Sequence, residues 1–254
     1  MKVAICGKGG VGKSTVAALL SEALLDQGFE VLAIDADPSP HLARLLGFKE
    51  AEKIVPIAEM KDLLAARAEK DGPFYSLNPK VDDLPEKFML QRDGLKLMVL
   101  GAVREAGGGC ACPEQTVLKR LLSLLLLQSR EAVVVDMEAG VEHFGRATVS
   151  AIEAVLIVVQ PYRGSIETAK QIKNMARDLG IKHVLFVGNL ISSEEEEKFL
   201  EKELEEPLLV SFPRDEDLLR LEREGKPLKM AQGPARNKAK ELAERLIELL
   251  KHGT

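Results

Sequence analysis

Tryptophan is absent from the 254 residues, and aromatic side chains make up only 4% of them. Platforms that stack the bases of single-stranded nucleic acid are built from such side chains, so that class of function is poorly served. A basic excess is also missing. Thirty-five Lys and Arg stand against 40 Asp and Glu, giving a formal charge of −5 and a pI near 5.6. That balance argues against a partner that is nucleic acid or an anionic membrane surface. Three cysteines are too few for a disulfide framework and fit a reducing compartment. The longest apolar stretch, Leu121 to Leu127, is interrupted by Ser123 and falls far short of the ~20 residues of a membrane span. No cationic segment followed by a long apolar run precedes the first glycine loop, so a cytoplasmic location is expected.

What is present is an alternation of short apolar runs with longer helical patterns. The runs are 3–5, 31–34, 95–100, 132–135, 154–159, 183–187 and 208–212, several of them apolar without a break, as strands buried on both faces are. Between them, Val16, Leu19, Leu20, Ala23 and Leu24 keep helical spacing, and Gly28 supplies a stop. Ser193 before Glu194 to Glu197 reads as a helix N-cap with a Glu three residues on. A last helix is expected from about Asn237 to Lys251, with Ala239, Leu242, Ala243, Leu246 and Leu250 on one face. Strand, helix, strand repeated throughout predicts an α/β fold with a mainly parallel sheet covered by helices on both faces. At 46% hydrophobic and 30% charged, one domain over residues 1–254 is expected. Residues 49–93, where Pro56, Pro73, Pro79 and Pro85 interrupt weak helical patterns, read as an irregular insertion.

The chemistry starts at residue 7. Gly7-Lys8-Gly9-Gly10-Val11-Gly12-Lys13-Ser14 fits G-x-x-x-x-G-K-[ST], between an expected strand and an expected helix. In that setting Gly9, Gly10, Val11, Gly12, Lys13, Ser14 and Thr15 form a nucleotide cradle. Backbone N–H groups and a helix N-terminus face the phosphates, Lys13 reaches the terminal ones, and the Ser14 hydroxyl binds Mg²⁺. Ala132 to Asp136 is an apolar strand ending in an acid, a Walker B pattern with Asp136 holding Mg²⁺ through water. Met137-Glu138-Ala139-Gly140 would follow as the γ-phosphate switch, pivoting at Gly140.

The second lysine, Lys8, makes the loop resemble that of the deviant Walker A P-loop NTPases, which include the nitrogenase iron protein and the cell-division and plasmid-partition ATPases. The resemblance implies that Lys8 reaches across a nucleotide-sandwich homodimer to the partner's phosphates. It also implies that Asp37, before Pro38 in Asp35-Ala36-Asp37-Pro38, positions the attacking water. For the base, the same resemblance points to Asn189 at a strand end and to Pro213 and Arg214 of Phe212-Pro213-Arg214-Asp215. Each of those two also reads as an ordinary strand end or turn.

Gly107-Gly108-Gly109-Cys110-Ala111-Cys112-Pro113 carries the other signal. In a regular strand, residues i and i+2 lie ~7 Å apart, too far for one metal, but three glycines let the chain curl. Pro113 suits a first helical position, placing Cys112 at an N-cap that favours thiolate. Two thiolates half fill a four-coordinate metal, and a two-fold dimer would supply the rest. Incidental thiols in a flexible loop are the plain alternative, and Cys6 reads as a small buried residue.

With the P-loop, the cysteines, Glu59 to Asp62, Leu77 to Val81 and Asp136-Met137-Glu138-Ala139-Gly140-Val141-Glu142-His143, the chain resembles the CooC-type accessory ATPases of nickel-containing carbon monoxide dehydrogenase from end to end. The resemblance implies an ATP-dependent homodimer that takes Ni²⁺ or Zn²⁺ at Cys110 and Cys112. Its client would be carbon monoxide dehydrogenase or the acetyl-CoA synthase complex. Glu138 departs from the Gly expected in some members. Two other readings compete. A partition ATPase would favour a basic C-terminal helix, yet Lys238, Lys240 and Arg245 alternate with Glu241, Glu244 and Glu248. An iron–sulfur electron donor would hold a cluster on four thiolates.

Overall fold

The computed structural model describes residues 1–68, 70–71, 74–75, 79–103, 113–138, 140 and 149–251. Its centre is an eight-stranded sheet in the order β10-β9-β8-β1-β7-β2-β6-β5. The strands are β1 (Lys2–Cys6), β2 (Val31–Ala36), β5 (Leu90–Arg92), β6 (Leu95–Val99), β7 (Ala132–Met137), β8 (Ala154–Val159), β9 (His183–Ile191) and β10 (Leu208–Pro213). All neighbours pair in parallel except β5 and β6. A separate two-stranded antiparallel pair joins β3 (Lys70–Asp71) to β4 (Phe74–Tyr75). The expected α/β class is the observed one.

Alternation along the strands divides the core into two layers. Val3 and Ile5 of β1 face a cluster shared with α1 (Lys13–Asp26), α2 (Leu42–Leu45), α8 (Glu216–Arg223) and α9 (Pro234–Lys251). Ala4 and Cys6 face the other cluster. It is built with α3 (Lys61–Arg67), α4 (Leu84–Phe88), α5 (Pro113–Gln128), α6 (Arg163–Asp178) and α7 (Glu194–Leu204). β2, β7 and β8 are buried along their whole length, which is why they are apolar throughout except for Asp35 and Asp136 near the carboxyl ends of β2 and β7.

Helix boundaries follow local chemistry. Gly28 at φ 84° closes α1, its N–H donating to Leu25 O (2.9 Å) and that of Phe29 to Leu24 O (3.1 Å). This paired arrangement satisfies carbonyls that the helix end would leave bare. Ser193 caps α7, accepting from Glu196 N at 3.4 Å, while Glu196 reaches back to Ser192 N at 2.7 Å. The last helix begins at Pro234, three residues before the expected Asn237, because a proline in the first turn sacrifices no intrahelical bond.

Among the described residues, 49–93 hold short elements, namely two 3₁₀ turns, α3, the β3–β4 pair, α4 and β5. The segment ends in β5, an antiparallel edge strand turned into β6 by Asp93 and Gly94, both at positive φ (41° and 78°). An Asp-Gly pair is a strong hairpin signal, so this turn was present in the sequence. β9 likewise runs four residues beyond the expected Val187. No helix among the described residues is long and apolar enough to cross a membrane.

Candidate nucleotide site

The site lies at the carboxyl ends of β1, β7 and β2, where parallel sheets collect ligands. Register explains why. Ile5 pairs with Asp136, and Asp136 with Asp35, so both carboxylates emerge beside the loop that follows β1.

Two glycines of that loop are required by contact. A Cβ at Gly7, which sits at φ 146°, would lie 2.5 Å from the Val158 carbonyl oxygen. Gly12, the residue preceding α1, is left-handed at φ 95°, and its Cβ would run into the Asn189 amide. That amide donates to Val11 O at 2.7 Å. Lys13 is 6% exposed, and its Nζ donates to Lys8 O at 3.3 Å, a backbone stand-in for the anion a P-loop lysine meets.

The acids are unlike one another. Asp35 is fully buried, its Oδ2 accepting from Leu42 N (3.0 Å) and its Oδ1 from Asp37 N (3.2 Å). Burial pushes its carboxyl up to about 6 against those hydrogen bonds. Asp37 is only partly buried and accepts from Ser39 N at 2.8 Å. Asp136 is fully buried, and neither of its oxygens has a hydrogen-bond partner among the described residues. Burial, with Asp35 next in weight, raises its carboxyl to about 8, while Ser14 and Lys13 pull the other way. A buried, unpartnered carboxylate beside a hydroxyl asks for a cation. One carboxylate plus one hydroxyl suits Mg²⁺, which keeps waters and takes the rest of its shell from phosphates. The residues present therefore fit that ion.

Two cavities flank the loop. One, of about 500 Å³, is walled by Gly9, Gly10, Gly12, Lys13, Ser14, Thr15, Asp37 and Glu138, with His41, Arg44 and Glu222 at its edge. The other, of about 160 Å³, is lined by Asn189, Phe212, Pro213, Leu218, Leu219, Gly10, Gly12, Thr15 and Glu222. Arrangement and chemistry suit phosphates in the first and a flat heterocycle in the second.

The structure thus brings Gly9, Gly10, Gly12, Lys13, Ser14, Thr15 and Asp37 to one cavity, with Asp136 beneath and Asn189 and Pro213 next door. Arg214 is not brought in. Its side chain is 64% exposed and pairs with Glu216 at 3.1 Å. Asn189 has one amide N–H committed to the loop, so bracing Val11 is its visible work. Asp215, next to Arg214, is buried and binds Asp217 N (2.9 Å), Leu218 N (3.4 Å) and Ala235 N (3.0 Å), fixing the starts of α8 and α9. Glu222 was missed by sequence reading. It accepts from Thr15 Oγ1 at 3.3 Å and touches both cavities, but on amphipathic α8 it looks like any surface acid. Cys110, Cys112, Ala139, Val141, Glu142 and His143 lie outside the described residues.

Comparison with known proteins agrees with this geometry. A family model described as the CobQ/CobB/MinD/ParA nucleotide binding domain matches residues 2–228. The carbon monoxide dehydrogenase accessory protein CooC of Rhodospirillum rubrum is 41% identical, over 98% of this chain and 97% of that one. An iron–sulfur cluster carrier protein of Pyrococcus abyssi is 29% identical over 74% of this chain and 61% of its own length. Among solved structures, the cell division ATPase MinD of Pyrococcus furiosus superposes with a TM-score of 0.69 at 25% identity, over 98% of this chain and 99% of that one. The chain belongs to the CobQ/CobB/MinD/ParA nucleotide-binding family, with the carbon monoxide dehydrogenase accessory protein CooC as its homologue over nearly the full length of both.

Proposed function

We propose that this protein is an ATP-hydrolysing metallochaperone. It acts as a homodimer, carries Ni²⁺ or Zn²⁺ on Cys110 and Cys112, and assists nickel insertion into carbon monoxide dehydrogenase. The observation that carries the reading is the P-loop cradle beside an unpartnered buried Asp136, in a chain aligned end to end with CooC.

Lys13 and the loop amides bind the β- and γ-phosphates, and Thr15 lies beside them. Ser14 and Asp136 hold Mg²⁺, which supplies positive charge against the phosphate oxygens. Asp37, partly exposed on the cavity wall, orients the attacking water. Lys8 adds its charge from the partner subunit, completing each site only in the dimer. Asn189 and Pro213 border the base. The metal ion is cargo, held by four thiolates from two chains, and nucleotide-driven closure changes the distance between the two cysteine pairs.

Titration of Ni²⁺ or Zn²⁺ into reduced, metal-free protein tests this when mass and metal content are followed together. The expected result is one tightly held ion per two chains, with loss of ion and dimer in Cys110→Ala or Cys112→Ala while ATP binding survives. One ion per chain, or tight binding indifferent to either substitution, overturns the bridging site.

A second reading is favoured by the likeness to an iron–sulfur cluster carrier. Four thiolates across a dimer also suit a cluster, and anaerobically purified protein would then absorb visibly, at about 400 nm.

A further inference from the structure

Lys8 makes an unusual contact. Its ammonium lies over the ring of Tyr162, 5.5 Å from the centroid, and pairs with no carboxylate among the described residues. It is absent from the walls of the phosphate cavity formed by its own loop. Beneath it is Gly164, in the first turn of α6, where a Cβ would lie 2.5 Å from Lys8 Nζ. A helix N-terminus carries partial positive charge, so the ammonium sits on the wrong end of α6 and the ring face offsets that repulsion.

The backbone that carries the ring is fixed. Tyr162 precedes α6, and its carbonyl accepts from Ser165 N (3.0 Å) and Ile166 N (3.2 Å). The buried Ser165 hydroxyl in turn accepts from Gln160 N at 3.0 Å, and the Gln160 side chain reaches Gly10 O at 3.5 Å. The segment from β8 to α6 is therefore tied to the P-loop and presents a half-exposed aromatic face (Tyr162, 41%) to its lysine.

From this geometry we infer that Tyr162 is a positioning residue, a parking place that holds Lys8 off its own nucleotide until a partner's phosphates draw it away. The inference rests on the reading of Lys8 as a group supplied in trans. The cation–π contact is weak at a half-exposed ring, whereas an ammonium–phosphate bond is charge-assisted and stronger, so the lysine transfers when phosphate is offered. A Cβ at Gly164 would lie 2.5 Å from the parked ammonium, so a side chain there would make Lys8 shift from this position.

ATP-driven association of the Mg²⁺-loaded protein, measured by mass against protein concentration, tests the inference. Losing the ring face in Tyr162→Leu removes the contact that must be broken. The half-association concentration should fall two- to fivefold, about 0.4–1 kcal/mol at 1.4 kcal/mol per tenfold. Tyr162→Phe keeps the face and should track wild type. In a Lys8→Ala background, Tyr162→Leu should change nothing further. Equal effects of Leu and Phe, no fall with Leu, or an effect that persists without Lys8 overturns the parking role. Mixing Lys8→Ala with Lys13→Ala subunits separately tests supply in trans, so a failure there is distinguished from a failure of Tyr162 alone.

Discussion

At the scale of single residues, the informative one is Asp136. A carboxylate at 0% exposure with no hydrogen-bond partner among the described residues is costly, and its raised carboxyl, about 8, records that cost. The sign follows from linkage. The folded protein binds this proton more tightly than the unfolded chain, so the stabilising effect of protonation is full below about 4 and is lost as pH rises towards 8. Asp35, raised to about 6, adds the same trend over the lower part of that window. Denaturant unfolding of nucleotide-free, Mg²⁺-free protein should therefore show stability declining from pH 5 to pH 8. Asp136→Asn should flatten the upper half of that decline. At pH 8 it should be more stable than wild type by about 1–3 kcal/mol, after allowance for an unsatisfied amide. Coincident pH curves for the two proteins would show that Asp136 is not held at this cost. The gain would come with impaired Mg²⁺-dependent hydrolysis, the usual exchange of stability for function at such sites.

At the scale of elements, the smaller cavity beside the P-loop is built by α8 and α9 converging on one buried carboxylate. Asp215 caps α8 through two N–H groups and binds Ala235 N at the start of α9, and the absence of a Cβ at Gly233 leaves it room. Asp215→Ala removes an N-cap and orphans a buried donor. The expected loss is about 2–3 kcal/mol, seen as a lower urea midpoint at unchanged slope. Asp215→Asn retains one acceptor and should lose about half as much. A change under about 0.5 kcal/mol for the alanine variant would mean that water replaces the carboxylate and that the convergence is held by packing. Because Leu218, Leu219 and Pro213 line the cavity that α8 supports, nucleotide affinity should weaken along with stability.

At the scale of the whole molecule, the proposed supply of Lys8 in trans would make hydrolysis a property of two chains. In a mixture of Lys8→Ala and Lys13→Ala subunits, the heterodimer holds one site with an intact Lys13 that is served by the other chain's Lys8. Neither variant alone should hydrolyse ATP appreciably, and the mixture should recover at most about half of the wild-type rate per dimer. No recovery, with heterodimers demonstrated by mass, would mean that Lys8 serves its own site.

The sequence by itself determined the parallel sheet, the cradle and its lysine, because these rest on local rules. Unbroken apolar runs such as Val133 to Val135 mark strands buried on both faces, and the spacing from Gly7 to Ser14 is a local backbone geometry. Asp93-Gly94 was equally local and legible, though the prolines upstream masked it. Only the tertiary structure decided the rest. Register between β1, β7 and β2 set Asp136 beside Asp35 and left it unpartnered. The meeting of β9 with the P-loop turned Asn189 towards Val11, and the turn after β10 left Arg214 in solvent while burying Asp215. Glu222 reached Thr15, and Tyr162 reached Lys8, across separations of 207 and 154 residues (162 − 8) that no motif spans. Contacts between residues so far apart depend on how elements pack, which the pattern of any one segment does not encode.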